Sequence, residues 1–176
     1  MMGKRSGMQQ PHPADSAIVK LLLKEGIAPI LSLPCNMLAG LLREIEKHPV
    51  QHIPVCREEE GVGIAAGAAL AGKKPLLLMQ NSGLGNTINA LMSLTRLYKL
   101  PLFLLMSHRG SPGEKISAQI PMGDAAPHLL EILDIKYIYV RSSRDFPRLA
   151  RCIKETYKRS QINAAFLSRG LWDETK

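Results

Sequence analysis

Short apolar runs alternate with amphipathic segments along almost the whole chain. The runs have the length of β-strands, and some of them, such as residues 102–106, are apolar at every position. A strand that is apolar on both sides is typical of a parallel sheet covered by helices on both faces. The segments between the runs have the apolar spacing of helices, with Ile18, Leu21 and Leu22 on one side of the first. The pattern therefore predicts an α/β protein in which strands and helices alternate.

The pattern also gives approximate bounds for each element. Strands are expected at residues 27–33, 52–56, 75–79, 102–106, 137–140 and 164–167, and helices at residues 15–25, 36–47, 58–70, 86–98, 123–133 and 144–159. Asn36 and Asn86 are of a residue type that caps helices. We expect a three-layer α/β/α sandwich with a mostly parallel six-stranded sheet. Residues 1–12 are expected to be a mobile tail, and residues 13–176 a single domain.

Composition narrows the function classes. The formal net charge is +8, from 23 basic and 15 acidic residues, but the basic residues are scattered and no aromatic-plus-basic segment resembles a nucleic-acid reader. An anionic small substrate or an acidic partner subunit would suit such a chain. No apolar run approaches the ~20 residues that span a bilayer, and the start lacks the apolar stretch of a signal peptide. Three cysteines without a CxxC pair favour reduced thiols in a cytoplasmic protein and argue against a zinc site.

Three consecutive carboxylates, Glu58, Glu59 and Glu60, lie where the second predicted strand ends and the third predicted helix begins. The next acidic residue along the chain is Glu114. Acids are favoured in the first turn of any helix because the helix dipole stabilises them, so the triplet can be a helix-start signal alone. The alternative is that one of the three is a functional group that accepts a proton or holds an N–H group of a ligand.

Gly61, Gly63 and Ala66 match the G-x-G-x-x-A fingerprint of dinucleotide-binding folds. Two physical objections argue against this function. The fingerprint places a diphosphate at the helix N-terminus, where residues 58–60 would repel it. It also requires an acid after the following strand, where the sequence has Gln-Asn-Ser at residues 80–82. The small residues of this helix instead favour close packing, either within the sheet layer or against another subunit.

Two further segments follow predicted strands. Residues 80–86 read QNSGLGN, in which glycines allow a sharp turn and bring backbone N–H groups close to a ligand. They do not match the phosphate-binding G-x-x-x-x-G-K-[ST] loop. Residues 107–122 form a long predicted loop that carries His108, Arg109 and Lys115. Loops at the carboxyl ends of parallel strands are where such sheets bind ligands.

These motifs together carry a family resemblance. The spacing from Glu58 through VGIAAG at residues 62–67 to NSGLGN at residues 81–86 resembles the pyrimidine-binding domain of thiamine-diphosphate-dependent decarboxylases. Within that family, QNSGLGNTINALMSL, LPLFLLMSHRG and KISAQIPMG are similar to the alpha subunits of sulfopyruvate decarboxylases, with phosphonopyruvate decarboxylases as close relatives. The similarity runs from about residue 27 to the C-terminus.

The resemblance implies a set of site residues. In this family a glutamate hydrogen-bonds N1′ of the cofactor's aminopyrimidine, and gap-free alignment assigns that role to Glu58, with Glu59 as the alternative if the alignment slips by one residue. The loop of Asn81, Ser82, Gly83, Leu84 and Gly85 would lie beside the cofactor. His108 and Arg109 would hold an acidic group of the substrate, and Lys115 and Gln119 would close over it.

The resemblance also implies that a second chain supplies part of the active site. The family binds the cofactor's diphosphate through Mg²⁺ with a G-D-G motif followed by an asparagine pair, and this chain has Gly123-Asp124 but neither full motif. No metal ligand is therefore expected in this chain. A beta subunit would carry the diphosphate domain and Mg²⁺, and the two chains would share thiamine diphosphate in a hetero-oligomer.

The expected reaction is decarboxylation of 3-sulfopyruvate to sulfoacetaldehyde and CO₂, a step of coenzyme M biosynthesis in that family. Sulfonate and phosphonate are both tetrahedral anions, so a phosphonopyruvate decarboxylase subunit is the first alternative. A non-catalytic subunit of the same fold is the second, although such a chain would be expected to have lost the glutamate.

Overall fold

The structure is a computed structural model that describes residues 12–173. The strands are β1 (Ile30–Ser32), β2 (His52–Pro54), β3 (Leu76–Gln80), β4 (Leu102–Ser107), β5 (Lys136–Val140) and β6 (Ile162–Leu167). The helices are α1 (Pro13–Lys24), α2 (Ala39–Ile45), α3 (Glu58–Leu70), α4 (Leu84–Ala90), α5 (Ile120–Ile132) and α6 (Phe146–Lys158). Short 3-10 turns lie at Asn36–Leu38, Asn81–Gly83, Ser117–Gln119, Ser143–Asp145 and Arg169–Trp172, and a π-helical segment at Leu91–Arg96 extends α4.

The six strands form one sheet in the order β2-β1-β3-β4-β6-β5, and every neighbouring pair is parallel. Helices α1, α2 and α6 cover one face, where their apolar side chains pack against Ile30, Leu76 and Phe103. Helices α3, α4 and α5 cover the other face and pack against Leu31 and Leu77. Successive strand residues point to opposite faces, so a strand between two helical layers must be apolar at every position. The predicted three-layer α/β/α sandwich is confirmed.

Several predicted bounds were wrong for local reasons. Strand β1 starts at Ile30 rather than at residue 27, because Pro29 has no N–H group for the strand ladder. Helix α5 starts at Ile120 rather than at residue 123, since Pro121 fits the first turn of a helix, where no N–H partner is required. The predicted loop after β4 is correspondingly shorter at both ends.

The capping predictions were also wrong. Asn36 opens a 3-10 turn without a side-chain cap, and Asn86 lies inside α4, which starts two residues earlier. His12, assigned to the tail, is the N-cap of α1, and its side chain accepts a hydrogen bond from the backbone of Ala14. The rest of the predicted tail, residues 1–11, lies outside the residues that the structure describes.

Helix α3 divides its small residues between two environments. A Cβ atom added at Gly61 would lie 2.7 Å from Leu77 Cδ1, so glycine here lets the helix approach the sheet without displacing the Leu77 side chain. Gly63 and Gly67 face the other way, and a Cβ atom at either would have no atom of the described chain within 4 Å. The glycine pattern that resembles a dinucleotide fingerprint is thus close packing on one side of the helix and an open surface on the other.

Candidate active site

Glu58 is the first residue of α3, and its half-buried side chain lies against the turn that follows β3. Glu58 Oε2 accepts a hydrogen bond of 2.9 Å from Asn86 Nδ2. A Cβ atom added at Gly83 would lie 2.4 Å from Glu58 Oε1, so only glycine leaves room for this carboxylate. Among residues 12–173, Oε1 has no hydrogen-bond donor. The site therefore contains a carboxylate oxygen at a helix N-terminus that is free to accept a hydrogen bond.

The other two acids of the triplet have surface partners. Glu59 Oε1 lies 2.6 Å from Nε of Arg57 in an ion pair. A backbone hydrogen bond, foremost, and this ion pair lower the pKa of Glu59. Glu60 Oε2 accepts a hydrogen bond of 3.0 Å from the backbone of Cys56. Within residues 12–173, Glu59 Oε2 is buried without a hydrogen-bond partner, so an unpaired oxygen does not by itself separate Glu58 from Glu59. The difference between them is position, because of the three acids Glu58 is the one that packs against the glycine turn.

Gln80, the last residue of β3, links three of the loops at this edge of the sheet. Its Nε2 donates to Oγ of Ser82 and, over 2.8 Å, to Oε1 of Gln119. Its Oε1 accepts from Sγ of Cys35 at 3.5 Å, and that sulfur also lies 3.4 Å from Oγ of Ser107. The loops after β1, β3 and β4 thus meet in one polar cluster at the carboxyl ends of the strands.

Asn81 is fully buried and makes a two-way clamp on the next loop. Its Nδ2 donates to the Arg109 carbonyl oxygen, and its Oδ1 accepts from the Arg109 N–H group, both over 2.9 Å. The side chain of Leu84 is also fully buried. Of the predicted cofactor loop, these two side chains therefore hold the turn in place. The Glu58 side chain fills the space at Gly83, and Gly85 faces the end of the Met122 side chain.

Arg109, predicted to bind the substrate's acidic group, has an internal partner. Its Nε and Nη2 lie 2.7 and 2.9 Å from the two carboxylate oxygens of Glu114, whose side chain is 3 % exposed. Glu114 also accepts from the backbone of Gly110, Lys115 and Ile116. The paired guanidinium, foremost, and these backbone donors hold the pKa of Glu114 far below its usual 4.5. The charge of Arg109 is therefore balanced within the chain.

The remaining predicted substrate residues lie in different surroundings. The His108 ring packs between Tyr139 and Phe166, with centroids 5.3 and 5.0 Å away, and burial lowers the pKa of His108 below its usual 6.5. The ring thus favours the neutral form in an aromatic cluster. Lys115 is exposed, and Gln119 joins the cluster around Gln80. The structure brings Gln119 close to the glycine turn, whereas His108 lies beside β5 and β6.

The arrangement fits an aminopyrimidine on two counts. The free oxygen of Glu58 can accept an N–H group, which is the contact that such a ring offers, and Gly83 leaves the space in which the carboxylate lies. Among residues 12–173 there is no group of three histidine, cysteine or acidic side chains that could hold a metal ion. No helix in the described part of the chain is long and apolar enough to cross a membrane.

Sequence reasoning missed several residues of this region. Asn86 was interpreted as a helix cap. Because α4 starts two residues earlier, Asn86 lies inside the helix, and its side chain donates a hydrogen bond to Glu58. In the sequence, Cys35 served only as evidence that the thiols are reduced, and Glu114 was assigned no role. Of these missed residues, Gln80 could have been identified from the sequence, because it is the first residue of the polar segment that directly follows a buried strand.

Comparison with known proteins agrees with this geometry. Residues 13–135 match the family model described as the thiamine pyrophosphate enzyme, N-terminal TPP binding domain. The chain is 42% identical over 165 residues to "Sulfopyruvate decarboxylase subunit alpha" of Methanococcus maripaludis, covering 93% of this chain and 99% of the relative. It is 49% identical over 130 residues to the protein of the same name from Methanothermobacter thermautotrophicus, covering 73% of this chain and 79% of the relative.

A third relative is longer. "Sulfopyruvate decarboxylase" of Methanosarcina acetivorans is 36% identical over 162 residues, which are 92% of this chain but 42% of the relative. Phosphonopyruvate decarboxylases of Streptomyces are more distant, at 32–33% identity. The predicted resemblance is confirmed, and the chain belongs to the thiamine pyrophosphate enzymes, within the family of sulfopyruvate decarboxylase alpha subunits.

Proposed function

We propose that this chain is the alpha subunit of a two-subunit, thiamine-diphosphate-dependent decarboxylase that converts 3-sulfopyruvate to sulfoacetaldehyde and CO₂. The observation that carries the proposal is the carboxylate of Glu58, which has one oxygen without a hydrogen-bond donor in residues 12–173 and lies in the space that the missing side chain of Gly83 leaves. The names of the relatives supply the substrate and, with it, the place in coenzyme M biosynthesis. The three free cysteines agree with a cytoplasmic location.

The chain's part in the reaction is to position one proton. Bound thiamine diphosphate supplies the electron sink for loss of CO₂ from a 2-oxo acid. Glu58 would accept a hydrogen bond from N1′ of the aminopyrimidine and so fix where the ring carries its protons. Asn86 holds the other carboxylate oxygen in place, and the fully buried Leu84 and Asn81 fix the backbone beneath it.

The second half of the site is proposed to come from a beta subunit. The Methanosarcina relative has more than twice the length that this chain matches, which is expected if one chain there contains both halves. In the proposed hetero-oligomer the beta subunit would hold the diphosphate and Mg²⁺. The part of this chain that the structure describes has no metal-binding cluster of its own.

The substrate is proposed to lie over the cluster around Gln80. Gln119 offers an amide nitrogen there, and Lys115 a free positive charge at the rim. Arg109 fits a direct contact less well than its sequence position indicated, since Glu114 already occupies its Nε and Nη2 atoms. His108 would act through packing with Tyr139 and Phe166 rather than through its charge.

The test is release of CO₂ from sulfopyruvate by the chain with its beta subunit, thiamine diphosphate and Mg²⁺. Glu58→Gln should lower kcat by about 100-fold or more, the usual range for loss of an acid–base group. Glu60→Gln is the matched control, because this exposed carboxylate only accepts a backbone hydrogen bond, which glutamine can also accept. Equal losses in the two variants would contradict the role of Glu58, and full activity of the chain alone would contradict the two-subunit site.

A phosphonopyruvate decarboxylase subunit is the second candidate, supported by the more distant Streptomyces relatives. Comparing kcat/KM for the two substrates decides between them. We expect sulfopyruvate to be preferred, and a preference for phosphonopyruvate would reverse the assignment. A non-catalytic subunit would leave activity unchanged in Glu58→Gln.

A further inference from the structure

A cavity of about 370 Å³ lies outside the cluster described above, between α1, α2 and the C-terminal 3-10 turn at Arg169–Trp172. Its walls include Asn36, Met37 and Trp172, and two guanidinium groups line it, those of Arg43 and Arg169. The volume is in the range of small-molecule sites.

Both arginines lack the partners that buried donors normally have. Arg43 is half-buried, and it makes no hydrogen bond or ion pair with any residue of the described chain. Arg169 has one ionic neighbour, Glu114 Oε2, at the long distance of 3.6 Å. The Nε atoms of both are buried and have no hydrogen-bond partner among residues 12–173. Buried donors without an acceptor are uncommon in folded proteins, so two beside one cavity point to an acceptor that the described chain does not supply.

Two acids line the same cavity and must be weighed against an anionic ligand. The Asp15 carboxylate is 2 % exposed, and its oxygens accept from the His12 backbone and from Trp172 Nε1, each over 2.9 Å. Asp173 is exposed, beyond the turn. The formal charges of the acids balance those of the arginines. Binding would therefore depend on directed guanidinium donors rather than on net charge, and these match oxyanions well.

We propose that this cavity binds a small oxyanion, a sulfonate, carboxylate or phosphate group, between Arg43 and Arg169. Two sources share this chemistry: the sulfonate end of the substrate and a free anion. The cavity adjoins the candidate active site, because Asn36 directly follows Cys35, which hydrogen-bonds Gln80, and because Arg169 lies beside Glu114. The part of the proposal that concerns the substrate rests on the proposed function, whereas the part that concerns anion binding does not.

Calorimetric titration of the full chain with ethanesulfonate and with inorganic sulfate tests the binding. The buffer is low in chloride and the ionic strength is matched. We expect saturable binding, weakened by about 10-fold or more in Arg43→Gln, which is what loss of one charged hydrogen bond produces. Arg43→Gln is the preferred variant because it breaks no contact of the described chain, so its thermal midpoint should not fall. Arg159→Gln, an exposed arginine at the end of α6, is the matched control and should bind as the wild type does.

Absence of saturable binding, or equal affinity in Arg43→Gln and wild type, would overturn the proposal. The source is then decided with the complete enzyme. A higher KM for sulfopyruvate, with kcat and the KM for pyruvate unchanged, assigns the site to the substrate's own sulfonate. An unchanged KM assigns it to a free anion. An enzyme without decarboxylase activity would refute the proposed function and leave the calorimetric result intact.

Discussion

At the scale of single residues, the candidate site depends on residue 83 being a glycine. Glu58 can lie over the turn after β3 only because residue 83 has no Cβ atom. The carboxylate is thus placed by packing on one side and by the amide of Asn86 on the other. Both contacts join α3 to the start of α4, so the position of the carboxylate depends on the two elements together.

Gly83→Ala tests this dependence. The added methyl carbon would lie 2.4 Å from Glu58 Oε1, which no real contact allows, so the carboxylate must move away. The backbone of Gly83 has a negative φ of −68°, which alanine adopts without strain, so the chain should still fold. We expect kcat of the complete enzyme to fall by about 10-fold or more, since small misplacements at a reacting centre have effects of this size.

The matched control is Gly170→Ala, where the new atom would lie at an ordinary contact distance of 3.6 Å from a backbone oxygen. Its kcat and thermal midpoint should equal those of the wild type. Wild-type kcat in Gly83→Ala would show that the Glu58 carboxylate tolerates displacement, and would contradict the packing argument.

The sequence could select Glu58 only through family spacing. All three acids occupy the first turn of one helix, and the residue types do not distinguish them. The distinction comes from partners distant along the chain, Gly83 and Asn86, which meet Glu58 through the packing of α3 on α4. The role of Arg109 stays a prediction. A basic residue after a buried strand resembles a ligand-binding group, and its ion pair with Glu114 became visible only in the structure.

At the scale of elements, the segment between β4 and α5 is held by one carboxylate. Glu114 joins the Arg109 side chain to three backbone N–H groups of its own loop, and Asn81 clamps the Arg109 backbone to the turn after β3. Gln119 follows on the same segment and reaches Gln80. The loop between β4 and α5, which is proposed to approach the substrate, is thus shaped by a buried ion pair at its base.

Glu114→Gln should destabilise the chain by about 3 kcal/mol at neutral pH, because it leaves the Arg109 guanidinium buried without a counter-charge. The pKa of Glu114 is lower in the folded chain than its usual 4.5, so the unfolded chain binds the proton more readily. The stability that Glu114 provides is therefore complete above about pH 4.5 and is lost as the pH falls toward the folded pKa.

The measurement is urea unfolding of both proteins from pH 7 to pH 3. The difference in unfolding free energy between wild type and Glu114→Gln should be largest at pH 7 and should shrink below pH ~4.5. Glu46→Gln, at an exposed position after α2, should show no such pH-dependent difference. A constant difference for Glu114→Gln across this pH range would contradict the role assigned to its charge.

The elements themselves were largely predictable, because strands buried on both faces are apolar at every position. Errors occurred where local chemistry overrides periodicity, as at Pro29 before β1 and Pro121 in α5. The π-helical segment Leu91–Arg96 was not predictable, since its apolar spacing resembles that of an ordinary α-helix. The order of strands in the sheet required the structure.

At the scale of the whole molecule, the chain has an open surface where a second subunit is expected. On the outer side of α3, a Cβ atom added at Gly63 or Gly67 would have no atom of residues 12–173 within 4 Å, and this side ends at Leu70, which is 74 % exposed. Glu58 starts the same helix. Small residues let a partner's backbone approach closely, and exposed large apolar side chains are common where proteins associate. We therefore expect the beta subunit to contact this side of α3.

Gly67→Leu separates association from folding. The new side chain would meet no atom of this chain within 4 Å at its Cβ, and leucine favours a helix over glycine by roughly 0.8 kcal/mol, so the isolated chain should be slightly more stable. In the hetero-oligomer the same side chain would occupy the space that the partner requires. We expect the dissociation constant for the beta subunit to rise by about 10-fold or more, measured by calorimetry in the presence of thiamine diphosphate and Mg²⁺.

Lys20→Leu adds the same side chain at an exposed position of α1, on the opposite helical layer, and should bind as the wild type does. Equal affinities of Gly67→Leu and Lys20→Leu would place the beta subunit elsewhere, and the open side of α3 would then need another explanation.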